Sequence, residues 1–370
     1  MRIAINCRSF MNRQYTGIGR YASGLVRSLV EIDRQNQYLL YAPKRFFNSK
    51  RVIPKVSAKN FNVKVDRFKR GVHRTVGIVD IYHSPCPDIF DVQGAKIIVT
   101  VHDLVYKAYP AGHTDQTIRL TEEQMQFFLP KVSKVICCSQ NTAWDLKKYF
   151  NVDDDRICVI YPGVDENVFC PLLPRESSRA DQVIRDQGID GPFVLFVGTL
   201  EPRKNLKNLV EAFSLLKKRG KYSGRLVVCG MAGWKSEGFE EHITRLGMRE
   251  HVVLTGFITD EELRYFYHKA DAFAFVSHYE GFGYPIVEAF CCGAAVVTSN
   301  VSSCPEVAGD AALKVNPRDP QEIAAALQRI IEDPALKKAL KEKGLARAKE
   351  FNYLKTARKT LEVYEQVFKL

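Results

Sequence analysis

The sequence predicts an α/β protein with two doubly wound domains, each built on a parallel sheet. The chain has 370 residues, whereas a single hydrophobic core rarely serves more than about 250–300 residues. Short apolar runs alternate with helical patterns along the chain, and unbroken apolar runs are typical of buried parallel strands. A segment with several prolines, residues 161–190, separates two such series and is the predicted linker.

The first series of elements, residues 1–170, forms the predicted N-terminal domain. Its strands are predicted at Arg2–Cys7, Tyr38–Tyr41, Ile78–His83, Lys96–Val101, Lys134–Cys138 and Ile157–Ile160. Its helical patterns lie at Gly19–Glu31, Asp115–Val132 and Thr142–Tyr149. This alternation favours parallel strand pairing through helical crossovers.

The second series, residues 171–351, repeats the scheme and forms the predicted C-terminal domain. Its strands are predicted at Phe193–Val197, Arg225–Cys229, Val252–Leu254, Ala272–Phe275 and Ala295–Thr298. Its helices are predicted to begin near Asn205, Glu237, Asp260, Pro285 and Asp319. The amphipathic segment at about 352–370 is expected to pack back onto the first domain. Because ligands bind outside the carboxyl ends of parallel strands, the loops there hold the candidate site.

The basic character of the chain is confined to its beginning. Residues 1–80 contain 17 Lys/Arg and 4 Asp/Glu, a net charge of +13, whereas the whole chain carries +12. The excess of positive charge is densest between Lys44 and Arg74. This stretch could be a solvated face, a nucleic-acid patch, or a surface for anionic lipid or a phosphate-bearing acceptor. In this stretch, aromatic residues are not regularly spaced among the basic ones, as they are in surfaces that stack nucleic-acid bases, so no nucleic-acid partner is expected. Its phenylalanines, which could enter a membrane interface, are Phe46, Phe47, Phe61 and Phe68.

Cysteine usage and the N-terminus indicate a cytoplasmic protein. The ten cysteines show neither a CxxC pair nor metal-ligand spacing, so buried thiols are expected. Met1–Cys7 reads as a strand rather than a signal peptide, and no apolar run approaches the roughly 18 residues that span a bilayer. We expect peripheral attachment to the cytoplasmic face of the membrane through the basic N-terminal region.

The strongest motif places two carboxylates at the ends of a glycine-containing turn and helix start. Its members are Glu280, Gly281, Phe282, Gly283, Tyr284, Pro285, Ile286, Val287 and Glu288. The two glycines allow the backbone to approach a ligand closely, and Pro285 suits the first helical position. The helix N-terminus would aim its N–H groups at a phosphate. Glu288, one turn in, suits the two hydroxyls of a ribose, whereas Glu280 suits sugar hydroxyls or developing positive charge.

A second motif, the basic loop, follows the predicted strand at Phe193–Val197. Its members are Val197, Gly198, Thr199, Leu200, Glu201, Pro202, Arg203, Lys204 and Asn205. The helix dipole disfavours cations at a helix N-terminus, so Arg203 and Lys204, just before a helix capped by Asn205, predict an anion among them. An arginine fork together with a lysine point charge suits a diphosphate.

Both motifs resemble those of the retaining glycosyltransferases of family 4, which have the GT-B fold. Gly256-Phe257 and the run ADAF at 270–273 also resemble this family's pattern, so the resemblance covers nearly the whole chain. It implies two Rossmann-like domains facing across a cleft, with the N-terminal domain (1–170) on the acceptor side and the C-terminal domain (171–351) binding the nucleotide-sugar donor. It also implies transfer of a sugar from a nucleotide-sugar donor with retained configuration, without a metal or other cofactor.

The resemblance further assigns roles to the two motifs. It implies that Glu280 contacts the donor sugar and that Glu288 contacts the ribose. Arg203 and Lys204 would neutralise the leaving diphosphate, and this charge compensation would replace a metal ion. Gly198 belongs to the same donor-binding loop.

A glycine pattern lies in the first half, in the run TGIGRYA at 16–22. On its own, GxGxxA indicates a dinucleotide site. Here the first glycine lies ten positions beyond Cys7, and the second strand ends without an acid, so the nicotinamide context is missing. The resemblance implies instead a glycine-rich loop at the floor of the cleft, with Gly17, Gly19 and Arg20 near the donor phosphate.

His102 and Asp103 follow the predicted strand at Lys96–Val101 and are therefore expected at its ligand-binding end. The resemblance implies that His102 reaches the donor sugar. Asp103 either orients His102 or belongs to the acceptor side. Ser139, after the next strand, is predicted to cap a helix. A hydrolase triad is disfavoured because the sequence has no GxSxG elbow.

The nucleotide base and the sugar are less well specified. Gly230, Phe257 and Ile258 follow strands of the second half, and backbone groups there are candidates for holding the base. The run at 17–21 and the strand end at 102–104 most resemble the mannosyltransferase-like branch that builds bacterial surface polysaccharides. This implies GDP-mannose as donor and a glycan or lipid-linked acceptor.

Other functions stay open at this point. An NAD(P)-dependent two-domain oxidoreductase and a non-catalytic basic adaptor are the alternatives, and a phosphorylase or an epimerase could use the same scaffold. Retention also has two routes: a covalent carboxylate nucleophile, or same-face substitution in which the leaving diphosphate helps to deprotonate the acceptor. We favour same-face substitution because the sequence identifies no carboxylate that has to lie beneath the anomeric carbon and act as the nucleophile.

Overall fold

A computed structural model describes residues 1–12, 17–44, 51–87, 92–220, 222–233 and 237–370. The chain divides into two compact units. The first contains residues 1–108, 113–163 and 351–370, and the second contains residues 109–112 and 164–350.

The first unit is built on a parallel sheet that, in the described ranges, has seven strands in the order β3-β2-β1-β4-β5-β6-β7. The strands are β1 Arg2–Asn6, β2 Gln37–Pro43, β3 Phe61–Asp66, β4 Ile81–Ser84, β5 Lys96–Val101, β6 Lys134–Cys137 and β7 Ile157–Val159. The helices between them are α1 Gly17–Ile32, α2 Val72–Val76, α3 Val105–Ala108, α4 Asp115–Phe128 and α5 Gln140–Phe150. The strand order reverses between β1 and β4, and such a switch point opens a crevice for ligands.

The second unit has six described strands, also parallel, in the order β10-β9-β8-β11-β12-β13. The strands are β8 Phe193–Val197, β9 Arg225–Cys229, β10 Val252–Gly256, β11 Ala272–Phe275, β12 Val296–Ser299 and β13 Ala312–Val315. The helices are α6 Ser177–Asp186, α7 Leu206–Lys218, α8 Phe239–Arg245, α9 Asp260–Lys269, α10 Tyr284–Cys291, α11 Cys304–Ala308, α12 Pro320–Glu332 and α13 Pro334–Ala348. The switch point of this sheet lies between β8 and β11.

The final helix, α14 (Tyr353–Lys369), belongs to the first unit and packs against α1. A Cβ at Gly24 would lie 2.2 Å from the ring of Tyr353, so this glycine makes room for the tyrosine. The Tyr353 hydroxyl donates to the backbone oxygen of Arg20 at 3.0 Å. Close packing therefore ties the end of the chain to its first helix.

Two strands and the linker differ from the sequence prediction. The edge strand β3 was not predicted because it alternates buried and exposed positions rather than forming an apolar run. The short edge strand β13 was missed for the same reason, since its central residues are the half-buried Leu313 and the exposed Lys314. The segment predicted as the linker contains α6, whose contacts with α9 place it in the second unit, and the long continuous part of that unit begins at Val164 rather than at 171.

Candidate functional site

The loops that leave β8 and β11 bring four charged side chains together beside the switch point of the second unit. We call Glu201, Arg203, Lys204 and Glu280 the charge cluster. Arg203 Nη1 lies 2.7 Å from Glu280 Oε2, and Lys204 Nζ lies 2.7 Å from Glu280 Oε1. Arg203 Nε lies 2.7 Å from Glu201 Oε1. The anion that the sequence predicted beside the two cations is thus supplied, in this structure, by the protein itself.

Glu280 is an ionised carboxylate in a buried place. Its side chain is 7% exposed, and burial alone would raise its pKa. The two adjacent cations, Arg203 and Lys204, outweigh burial and lower the pKa of Glu280 to about 2. The cluster, with two cations and two carboxylates, therefore has no net charge at neutral pH.

The lowered pKa of Glu280 predicts a loss of stability in acid. The folded-state pKa of about 2 lies below the ordinary value of 4.5, so the contribution is full above pH 4.5 and disappears as the pH falls to 2. We expect roughly 3 kcal/mol of unfolding free energy to be lost over this interval through this group. Urea unfolding of the wild type and of Glu280→Gln at pH 6 and pH 3 measures it. Equal pH dependence in the two proteins would contradict the assignment.

Backbone and hydroxyl contacts fix the loop that carries Glu280. The backbone N–H of Glu280 donates to Ser302 Oγ at 3.0 Å. The Ser303 hydroxyl donates to the backbone oxygens of Glu280 and Phe282, at 3.0 and 2.8 Å. The N–H of His278 donates to the Arg203 oxygen at 2.7 Å and joins the two loops. The carboxylate and the cations are therefore held in place before any ligand arrives.

The helix α10 begins one residue earlier than predicted, at Tyr284, so that Pro285 occupies its second position. Gly283 precedes it with a φ of 100°, a backbone conformation that favours glycine, and Gly281 and Phe282 are buried beside it. Glu288 is buried in this helix, and the Tyr267 hydroxyl donates to its Oε2 at 3.0 Å. Tyr267 thus orients the carboxylate that the sequence assigned to a ribose.

Asn205 does not cap α7 with its side chain, contrary to the sequence prediction. It adopts a left-handed backbone with a φ of 62°. Its Nδ2 donates to the oxygens of Val276 and Pro317 at 2.9 and 2.6 Å. The buried amide satisfies these loop carbonyls, and so it ties the basic loop to the loops after β11 and β13.

Gly198 and Gly230 follow β8 and β9 and bring the two loop backbones into close contact. A Cβ on Gly230 would lie 2.0 Å from the Gly198 oxygen, which is backbone and cannot rotate away. The Gly198 N–H donates to the Cys229 oxygen at 2.9 Å, and the Gly230 N–H donates to the Gly256 oxygen at 2.9 Å. These glycines are required for the path of the chain around the switch point.

Gly230→Ala is expected to destabilise the protein by about 2 kcal/mol or more, because the new methyl group overlaps the Gly198 carbonyl. Gly247→Ala is the matched control. Gly247 also has a positive φ, of 69°, but a Cβ there would meet nothing within 4 Å. Chemical denaturation of both variants measures the difference, and equal losses would show that close approach is not what requires Gly230.

Phe257 and Ile258, the candidate base-binding residues, follow β10. The Phe257 side chain is 55% exposed, whereas Ile258 is buried. The next residue, Thr259, caps α9: its Oγ1 accepts from the Glu262 N–H at 3.3 Å, and Glu262 Oε2 accepts from the Thr259 N–H at 3.1 Å. The backbone of this turn is therefore fixed by a capping box.

In the first unit, His102 lies beside the switch point between β1 and β4. Its Nε2 lies 2.7 Å from the Pro85 oxygen, and its ring meets that of Tyr21 edge-on at 5.0 Å. Burial lowers the pKa of His102, against the opposing effects of Pro85 and Asp103, so the ring is neutral. A neutral ring that donates from Nε2 presents Nδ1 as an acceptor.

Asp103 and Ser139 both act at helix starts. Asp103 Oδ1 accepts from the Val105 N–H at 3.2 Å, which places the carboxylate at the start of α3. Ser139 Oγ accepts from the Thr142 N–H at 3.0 Å, which confirms that it caps α5. Asp103 thus has a local structural role that the sequence reasoning did not assign to it.

Gly17, Gly19 and Arg20 form the first turn of α1. The helix thus begins two residues before the predicted start at Gly19, and Gly17 lies in the helix rather than in a loop before it. Gly19 is buried, and the backbone oxygen of Arg20 accepts a hydrogen bond from the Tyr353 hydroxyl. The residue before Gly17 in the predicted motif, Thr16, lies outside the described residues. The N–H groups of this turn remain the candidate phosphate donors of the first unit.

Family comparisons agree with the two motifs. Residues 179–347 match the family model "Glycosyl transferases group 1", and residues 15–168 match the model "Glycosyltransferase Family 4". The chain is a family 4 glycosyltransferase. This glycosyltransferase is 28% identical to O-antigen chain mannosyltransferase B of Escherichia coli, over 95% of this chain and 96% of that protein. It is also 29% identical to the serotype-specific mannosyltransferase WbdA of Escherichia coli, over 65% of this chain but only 30% of that longer protein.

Solved structures show that the glycosyltransferase has the GT-B fold. Sucrose-phosphate synthase from Thermosynechococcus elongatus superposes with a TM-score of 0.78 at 21% identity, covering 100% of this chain and 99% of that one. HepE from Anabaena, in complex with UDP and glucose, superposes with a TM-score of 0.74 at 18% identity, covering 99% of this chain and 100% of that one.

Two members of the candidate site were missed by the sequence reasoning. Glu201 was quoted within the basic loop without a role, although a carboxylate two residues before Arg203 was a usable signal. Tyr267 lies 21 positions before Glu288 on another helix, so its contact had no sequence signal.

Several other features of the glycosyltransferase bear on the sequence expectations. All ten cysteines are described and none forms a disulfide; seven of them are buried, as predicted, whereas Cys86, Cys158 and Cys170 are half-buried. In the described part of the chain, no three His, Cys, Asp or Glu side chains are grouped as metal ligands. No described helix is long and apolar enough to cross a membrane.

Proposed function

We propose that this glycosyltransferase transfers a hexose, with mannose as the first candidate, from a nucleoside-diphosphate sugar to a glycan or lipid-linked acceptor in the synthesis of a surface polysaccharide. The observation that carries the proposal is the charge cluster, in which Arg203 and Lys204 are preorganised by Glu280 beside the switch point. The names of the mannosyltransferase relatives from Escherichia coli support the choice of sugar and of pathway.

The donor diphosphate would bind to the two cations of the charge cluster. A cluster without net charge accepts a diphosphate only if the cations shift part of their hydrogen bonding from carboxylate to phosphate. Arg203 keeps Glu201 as a partner at its Nε while its other nitrogens turn to the ligand. Two cations compensate the charge of the leaving group, as a metal ion does elsewhere, which supports transfer without a metal.

Transfer is proposed to retain the configuration of the sugar by same-face substitution. Glu280 is the acid that the family resemblance places nearest to the donor sugar. Its pKa of about 2 and its two ion pairs make it a weak nucleophile, because its lone pairs are already engaged by Arg203 and Lys204. The departing diphosphate would then deprotonate the acceptor hydroxyl as it leaves, and His102 would contact the donor sugar through Nδ1.

Nucleotide binding tests the donor assignment directly. Thermal shift and calorimetry with UDP, GDP, ADP, TDP and NAD, each with and without EDTA, identify the base and any need for a metal. We expect one nucleoside diphosphate, with GDP as the first candidate, to stabilise the protein equally in both conditions. Binding of NAD alone would favour an oxidoreductase, and binding of no nucleotide would favour a non-catalytic adaptor.

The basic N-terminal region is proposed to hold the enzyme on the cytoplasmic face of a membrane, near a lipid-linked acceptor. In its described part, the Asp66 carboxylate accepts from the N–H groups of Phe68, Arg70 and Gly71 at 3.0–3.2 Å and shapes an exposed loop after β3. Phe68 is 63% exposed, and the Arg70 guanidinium carbon lies 5.0 Å from its ring centre. Cations around an exposed aromatic ring are typical of a lipid-headgroup surface.

Neutralising this loop should weaken binding to anionic vesicles. Arg67→Ala with Arg70→Ala is expected to lower the partition coefficient by roughly 30-fold, since each cation near the surface contributes about 1 kcal/mol. Co-sedimentation with vesicles containing phosphatidylglycerol measures it, with Arg249→Ala of the second unit as the control. Lys44 and Arg51 are further described candidates, whereas Arg45, Phe46, Phe47 and Lys50 lie outside the described residues. Unchanged binding would contradict the proposal.

A further inference from the structure

A pocket of about 280 Å³ lies in the second unit next to the charge cluster, at the start of α7. Its walls include Tyr109, Glu201, Lys207, Asn208, Phe239 and His278. Since a water molecule takes up about 30 Å³ of liquid, the pocket has room for an organic group. Neither Arg203, Lys204 nor Glu280 lines it. It is therefore separate from the place where a diphosphate would meet the cations.

One wall of the pocket is aromatic. The rings of Tyr109 and His278 stack with their centres 5.5 Å apart and their planes at 23°. Both side chains are half-buried, and Phe239, which also lines the pocket, is buried. Aromatic side chains in a pocket wall offer apolar surface, which suits the C–H face of a pyranose ring.

The remaining walls are polar, but their charges cancel. Glu201 contributes a carboxylate and Lys207 an ammonium group, so the lining has no net charge. Asn208 Nδ2 donates to the Pro317 oxygen at 3.0 Å, which holds this amide in position. A carboxylate in the wall disfavours a phosphate, whereas a carboxylate, an amide and an ammonium group together can hydrogen-bond several hydroxyls. The lining thus favours a neutral, hydroxyl-rich ligand.

The loops that form the charge cluster also form the pocket. Glu201 lines the pocket and accepts from Arg203 Nε at 2.7 Å. His278 lies two residues before Glu280, and its N–H donates to the Arg203 oxygen at 2.7 Å. A ligand in the pocket is therefore held next to the cations that would receive the donor diphosphate.

We propose that this pocket binds a neutral sugar ring of a glycan acceptor, with the ring packed against the aromatic wall formed by Tyr109 and His278 and its hydroxyls bonded by Glu201, Lys207 and Asn208. The inference rests on the proposed glycosyl transfer, and it specifies the acceptor as a saccharide recognised in the donor-binding unit. The lipid or phosphate portion of a longer acceptor would lie outside this pocket.

Binding of simple pyranosides to the intact protein tests this proposal. The probes are methyl α-D-mannopyranoside, methyl α-D-glucopyranoside and methyl α-D-galactopyranoside, followed by saturation-transfer NMR. We expect at least one probe to bind, and Tyr109→Ala to weaken its binding by about tenfold. Tyr109→Phe keeps the ring and should bind as the wild type does. Tyr149→Ala, a half-buried tyrosine outside the pocket, is the matched control.

Nucleoside-diphosphate binding by the same variants separates this inference from the proposed function. If the pocket is an acceptor site, Tyr109→Ala binds the nucleotide as tightly as the wild type does. A parallel loss of nucleotide binding would assign the pocket to the donor and overturn the proposal, as would the absence of pyranoside binding to the wild type or equal binding by wild type and Tyr109→Ala. Failure of every nucleotide to bind would refute the donor assignment but leave a measured pyranoside site intact.

Discussion

Arg203→Ala and Lys204→Ala are each expected to lower the kcat of sugar transfer by about a hundred- to a thousandfold. Removal of one preorganised donor that faces developing negative charge typically costs this much. Both cations are largely buried, with side chains 18% and 10% exposed, so water cannot readily replace them. Initial rates with saturating donor and acceptor measure the effect. Lys218→Ala, an exposed cation in the last turn of α7, is the matched control and should retain full activity.

The two substitutions should also separate binding from catalysis. If the cations act on the leaving diphosphate, kcat falls more than the donor affinity does, because the charge on the diphosphate grows as the glycosidic bond breaks. Full activity in both variants would refute the role of the charge cluster in catalysis. Arg203→Lys tests geometry as well as charge, since lysine keeps the charge but lacks the two separate nitrogens, Nε and Nη1, with which the guanidinium bonds Glu201 and Glu280.

The strand ends of this protein were predictable because buried parallel strands are apolar throughout. Lys96–Val101 and Phe193–Val197 begin and end where the sequence placed them, and the site loops follow from these ends. The edge strand Phe61–Asp66 was not predictable in this way because its solvent-facing positions are polar. The apolar runs therefore predicted which loops hold the candidate residues, but they did not predict the full number of strands in the first sheet.

Contacts within the site could not be read from the sequence. Arg203 and Glu280 are 77 positions apart, and the sequence assigned them to different parts of a donor, whereas in the structure they bond each other. Asn205 shows the same limit: its position before a helix predicted a cap, yet its side chain satisfies carbonyls of two distant loops. Residue type and position predict which chemical groups lie at a strand end. Which group each side chain contacts depends on loops that are distant in sequence and adjacent only in the folded protein.

Glu280→Gln is expected to destabilise the unliganded protein by about 3 kcal/mol or more, because the loss of one partner leaves buried charge uncompensated. The charge of Lys204 loses its ion pair with Glu280, whereas Arg203 keeps its contact with Glu201, so most of the loss arises at Lys204. Chemical denaturation measures the loss. Glu176→Gln is the control: it also removes a carboxylate paired with an arginine, Arg264, but outside the charge cluster.

A nucleoside diphosphate should restore much of the stability that Glu280→Gln loses. Its phosphates would supply the anion that the two cations lack, so the rise in Tm on adding the nucleotide should be larger for Glu280→Gln than for the wild type or Glu176→Gln. The comparison separates two functions of Glu280, since the variant would bind the diphosphate well while transferring sugar poorly. Equal rises in Tm for all three proteins would mean that the diphosphate binds away from Arg203 and Lys204, and the donor site would then have to be sought elsewhere at the strand ends.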